Sequence, residues 1–120
     1  MSEKNQRQHQ RFAPKDLTFV VIRPDFSHFG KLIDISGGGL RFQFMGVAGS
    51  LAKRRHLTLD LFVHGNGFYL SEVPCKFVHE NDVGTALPGA IATRHFGLQF
   101  KGLSNSQTER LEYFFEHYAA

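Results

Sequence analysis

A carboxylate, a hydroxyl and three successive glycines separate two apolar runs at Asp34-Ile35-Ser36-Gly37-Gly38-Gly39-Leu40. Upstream, Arg7 and Arg11 stand four residues apart in a polar leader. An ionised Asp only accepts hydrogen bonds, and the N–H groups on the Watson–Crick edge of guanine suit it as donors. Ser36 adds a hydroxyl that donates or accepts. Arginine completes the set, because its planar fork pairs with phosphate, reaches guanine O6 and N7, or stacks on the base. Glycines let the backbone approach a partner closely and enter φ > 0. Together these groups suit a guanine base joined to phosphate, provided that the fold brings the two pieces together.

The elements that must position them are mostly short strands. Residues 1–16 lack apolar periodicity and read as a flexible, locally basic arm, ordered only when something binds it. Strands follow at 17–22, 30–35 and 40–44, the last with Leu40, Phe42 and Phe44 on one face. Two-residue periodicity places Asp34 and Ser36 on one face, with Ile33 and Ile35 on the core side. Leu57, Leu59, Leu61 and Val63 face inward on a fourth strand. An Asn66-Gly67 pair marks a hairpin into a return strand from Phe68 to about His79. Pro74 within that strand requires an edge or a bulge. A loop over 80–89 leads to a last strand at 95–100, with Phe96, Leu98 and Phe100 inward.

The period then changes. Leu111, Phe114, Phe115 and Tyr118 form one face of an amphipathic helix, and Ser106-Gln107-Thr108-Glu109 reads as its capping box. The pattern predicts a mainly-β fold, a small six-stranded antiparallel Greek-key-like barrel with a C-terminal α-helix packed against it. The expected organisation is an arm over 1–16, a barrel over 17–103 and a helix of the same domain over 104–120.

The chain has 120 residues, enough for one core, and thirteen phenylalanines without tryptophan predict an aromatic interior. Its +3 net charge is too small to argue by itself for a nucleic-acid coat or a membrane surface. No apolar run approaches the roughly 20 residues that span a bilayer, and the leader lacks the apolar region of a signal peptide. With Cys75 alone there is no internal disulfide and no Cys-based zinc site, and it reads as a buried thiol in a reducing, cytoplasmic setting. The seven histidines lack metal-ligand spacing, so no metal and no cofactor is expected. Lys53-Arg54-Arg55 reads as a solvated turn. No nucleophile elbow and no acid/base pair of carboxylates is present, so no catalytic residue is assigned and the chain is not expected to be an enzyme.

Arg-x-x-x-Arg at Arg7 and Arg11, followed by Asp-x-Ser-x-x-Gly at Asp34, Ser36 and Gly39, resembles the PilZ domain family of bacterial cyclic di-GMP receptors. Phe12 and the Phe96-Gly97-Leu98-Gln99-Phe100 strand before the helix extend that resemblance over nearly the whole chain. It implies that Arg7 and Arg11 clamp phosphates and guanine faces, and that Asp34 and Ser36 read a guanine edge. Gly39 would hold the turn, and Gly38 would let backbone approach the ligand. Gln8 departs from the pattern, since many members carry a further arginine beside the first. The implied function is a cyclic di-GMP receptor, one whose arm orders on binding and which signals through an unknown protein effector. Two rivals fit the same elements. One is a PilZ-like interaction module without nucleotide. The other is a small nucleic-acid-binding barrel, disfavoured because Phe42, Phe44, Phe96 and Phe100 fall in inward register.

Overall fold

The structure, a computed structural model, describes residues 10–23, 28–46, 56–65, 67–82 and 92–120. The Lys53-Arg54-Arg55 run, Asn66 and most of the expected 80–89 loop lie outside these residues. Six strands are formed, β1 (Thr18–Arg23), β2 (His28–Ile35), β3 (Gly39–Gly46), β4 (Leu57–Val63), β5 (Tyr69–Asp82) and β6 (Ala92–Phe100). Among the described residues one helix, α1 (Asn105–Tyr118), follows them. Every strand pairing is antiparallel, and the order β1-β2-β3-β6-β5-β4 closes on itself as a barrel. Closure leaves no free sheet edge.

Alternation fills the interior. Leu40 and Phe42 from β3, Leu57, Leu59, Leu61 and Val63 from β4, and Phe96 and Leu98 from β6 are all buried. Phe42 and Phe96 meet edge-on with centroids 5.5 Å apart, and the partly buried Phe44 stacks on Phe96 at 5.7 Å. Cys75 is buried beside Val73, as its register implied, and desolvation pushes its thiol pKa up to about 12.

β5 is long enough to serve two neighbours. Tyr69–Cys75 pair with β4, and Cys75–Asp82 pair with β6. Pro74 has no free edge to occupy in a closed barrel, and the alternative expectation, a bulge, is met just before it. The β4–β5 register shifts between Leu59 and Leu61, and Glu72 takes a φ of 53°. Asp60 stabilises this bulge. Its buried carboxylate accepts the Glu72 amide at 2.9 Å, the Tyr69 hydroxyl at 2.7 Å and Arg23 Nε at 2.9 Å. Burial alone would raise the Asp60 pKa, but these three donors outweigh it and hold the carboxyl below its usual range.

A second bulge corrects the reading of β2. The β2–β3 register shifts between Leu32 and Asp34, so Leu32 and Ile35 both enter the core while Ile33 stays partly exposed. Ile33 is therefore not the core anchor that strict alternation made it. Extra twist at a bulge moves one residue out of phase.

The helix also begins differently from the sequence reading. Ser104 is the N-cap: its Oγ accepts the Gln107 amide at 3.1 Å, and Gln107 Oε1 accepts the Ser104 amide at 3.0 Å. Gln107 Nε2 also donates to the Ser71 and Glu72 carbonyls, which ties the helix start to the β5 bulge. That second role selects Ser104 over the Ser106 box. Leu111 and Phe114 are buried against the barrel, with Phe115 and Tyr118 packed beside them.

The chain before β1 is joined to both the barrel and the end of the helix. Phe12 exchanges both backbone hydrogen bonds with Ile35, at 2.8 and 2.9 Å, and its ring packs on Phe115 at 5.2 Å. Lys15 donates to the Tyr118 carbonyl, and Ala120 donates to that of Ala13. Outside the barrel, Phe19, Phe29 and Phe62 form a cluster across β2, β1 and β4, and Phe29 is 51% exposed. The inward-facing phenylalanines are thus accompanied by three aromatic rings on the outer face.

Candidate functional site

Two of the expected site residues, Arg11 and Asp34, converge because Phe12 is pinned to the last residue of β2. That pairing sets Arg11 beside Asp34, and Arg11 Nη1 donates to Asp34 Oδ1 at 2.9 Å. Arg7, Gln8 and His9 lie outside the described residues.

Asp34 has a second partner that sequence reasoning missed. Arg41 stands opposite it in the β2–β3 ladder and grips the carboxylate as a fork. Arg41 Nε lies 3.0 Å from Oδ2 and 3.2 Å from Oδ1, and Nη2 also donates to Oδ2. These bonds raise the Arg41 pKa against the opposing effect of burial. The Asp34 side chain is 14% exposed and Arg41 33%, whereas Arg11 is 51% exposed. Arg41 contacts both carboxylate oxygens from the barrel wall, whereas the more exposed Arg11 contacts one. Only cross-strand register reveals Arg41, since seven residues of sequence separate it from Asp34.

Ser36 is buried and closes the turn. Its Oγ accepts the Gly38 amide at 3.1 Å and lies 3.4 Å from the Gly39 carbonyl, which also accepts the Ser36 amide at 2.8 Å. None of Gly37, Gly38 and Gly39 has a φ in the left-handed region, so the freedom expected of this turn is not what they supply. Gly39 is needed for proximity instead. A Cβ there would overlap the Leu98 carbonyl oxygen where β3 joins β6, and the Gly38 carbonyl accepts the Phe100 amide across the same junction.

The turn borders a cavity of about 400 Å³, within the range of small-ligand sites. Arg11, Ser36, Gly38 and Gly39 line one side, and His79 and Gly97 line the other. Next to Arg41 on the outer face, His95 Nε2 lies 3.2 Å from Gln43 Oε1. Desolvation, followed by the positive Arg41, lowers the His95 pKa, with Asp34 partly offsetting them. Among the described residues, no group of three or more His, Cys, Asp or Glu side chains could hold a metal ion. No described helix is long and apolar enough to cross a membrane.

The model of the PilZ domain matches residues 5–117, spanning the arm, the turn, the barrel and the helix. The chain belongs to the PilZ domain family. Its barrel is similar to the PilZ domain with c-di-GMP of YcgR from Escherichia coli, with a TM-score of 0.63 over 92% of each chain. At 14% identity that likeness establishes the common fold. No curated protein matches this PilZ chain.

Proposed function

We propose that this PilZ domain is a non-catalytic cytoplasmic receptor for cyclic di-GMP that signals through a protein partner. The observation that carries the reading is that Arg11, bonded to Asp34, lines the same cavity as Ser36, Gly38 and Gly39. In this reading both motifs serve one site.

In this reading, Arg11 exchanges partners when the ligand enters. The half-exposed Arg11–Asp34 pair contributes about 0.2–1 kcal/mol, as solvent-screened pairs do. A phosphate replaces that charge-assisted bond with another of the same kind, so release of Arg11 toward the ligand costs little. Arg7 joins it on the phosphates and guanine faces. Release also frees acceptor capacity on Asp34 for guanine N–H groups while Arg41 keeps the carboxylate in place. Ser36 turns its hydroxyl to the ligand, and the Gly38 backbone approaches it. The segment around Arg7 and Arg11 orders, and its new surface is read by the partner.

Calorimetric titration with cyclic di-GMP tests this reading, with GMP and a single-stranded oligonucleotide as controls. Saturable heat with the cyclic dinucleotide alone is expected, and amide exchange over residues 5–11, ahead of the Phe12 amide already bonded to Ile35, should slow on binding. Heat with the oligonucleotide alone would favour the nucleic-acid reading, and heat with none of the three the interaction module.

A further inference from the structure

The cavity has a second wall that neither sequence motif includes. Asp34, Arg41, Gly97 and His79 lie in one row across β2, β3, β6 and β5, each paired with the next. Phe96 and Leu98 are buried, so the missing side chain of Gly97 belongs to the outer face. His79 occupies that space. A Cβ on Gly97 would lie 2.6 Å from His79 Nδ1 and closer still to Cε1, so the imidazole lies across the bare backbone of Gly97.

The strand geometry explains the placement. The β5–β6 register shifts between Phe77 and His79, and such a bulge re-aims the side chains beside it. Val78 and His79 consequently border the same cavity as Arg11, Ser36 and Gly38, and Val78 is 52% exposed. A planar imidazole set beside an apolar side chain, facing a turn of bare glycines, is suited to a flat ring rather than to a phosphate.

We infer that His79, seated over Gly97, is a base-packing wall of the ligand site, against which a guanine of the bound cyclic dinucleotide lies. This rests on the cyclic di-GMP reading above and adds a contact that sets affinity for the base. The competing role for His79 is a cover for the ladder at Gly97, with no ligand contact.

Four variants separate these roles by calorimetry with cyclic di-GMP, each checked by thermal melting. His79→Ala should weaken binding roughly 5- to 100-fold, the usual range for loss of a base-stacking side chain. Gly97→Ala should weaken it comparably, because the new Cβ meets the movable end of the His79 ring and drives it aside. The double variant should bind no more weakly than His79→Ala alone. His79→Phe, which keeps a flat face, should stay within a few-fold of the wild type. In the wild type, the His79 ring-proton NMR signals should shift on ligand addition. A wild type that binds, with His79→Ala binding equally well and the ring signals unmoved, overturns the wall and leaves the receptor reading intact. A wild type that gives no heat refutes the receptor reading itself, and the wall with it.

Discussion

Replacing Arg41 by Ala tests whether Asp34 is held ready for a ligand by its own barrel. In the wild type the fork of Arg41 covers both carboxylate oxygens, and Arg11 adds one further donor. The variant leaves Asp34, only 14% exposed, with the single bond from the half-exposed Arg11. A hydrogen bond to a charged group contributes about 1.5–3 kcal/mol. Arg41 is one-third exposed, so solvent screening reduces its part toward the 0.2–1 kcal/mol of surface pairs. A net loss of about 1 kcal/mol follows, or roughly 3–5 °C in melting temperature for a domain of this size. With its carboxylate no longer oriented, the variant should bind cyclic di-GMP about 10-fold more weakly, equivalent to about 1.4 kcal/mol. Arg41→Lys should recover part of the stability and less of the affinity, because an ammonium keeps the charge but not the fork. Melting and titration on the same samples provide both readouts. If affinity stays at the wild-type level while the melting temperature falls, Arg41 supports the fold alone. If neither changes, the fork has no energetic role and the reasoning fails.

Other outcomes follow from the same contacts. Loss of the Arg41 charge should raise the His95 pKa toward its ordinary value, read by NMR titration; an unmoved value would show that desolvation alone lowers it. Gly39→Ala should cost about 1–3 kcal/mol by overpacking the β3–β6 junction, measured by denaturant unfolding, and wild-type stability there would discount the Leu98 contact. Asp60→Ala should cost about 1–3 kcal/mol at neutral pH, because the Glu72 amide and Tyr69 hydroxyl lose their acceptor. The folded Asp60 pKa is depressed, so its stabilisation is complete above the unfolded value of about 3.9 and lost as pH falls through the folded one. Unfolding curves of wild type and variant should therefore converge in acid; a constant gap would contradict that linkage. Cys75, with its thiol pushed up to about 12, should resist alkylation at pH 8 until the barrel unfolds.

Much of this was legible in the sequence, for a physical reason. Alternation in β3, β4 and β6 maps directly onto an inner and an outer face, and Leu111 and Phe114 mark the helix face just as directly. Ile33 was misplaced because Leu32, Ile33 and Ile35 are all apolar, so alternation cannot reveal where the bulge changes phase. The helix start was ambiguous because Ser104 and Ser106 both have a partner three residues on. The choice depends on Gln107 reaching β5, a contact distant in sequence. Arg11, Asp34 and Ser36 stood out through motif spacing. Arg41 and His79 did not, because Arg41 meets Asp34 and His79 reaches the cavity only through cross-strand register, and no local pattern encodes that.

The central claim is that Asp34 serves a ligand rather than its own turn. Titrating cyclic di-GMP into the wild type and Asp34→Ala, with melting of both, tests it most directly. The account predicts saturable heat in the wild type and little or none in a variant that still melts cooperatively within a few degrees of it. No heat in the wild type, or a variant that binds equally well, would contradict it.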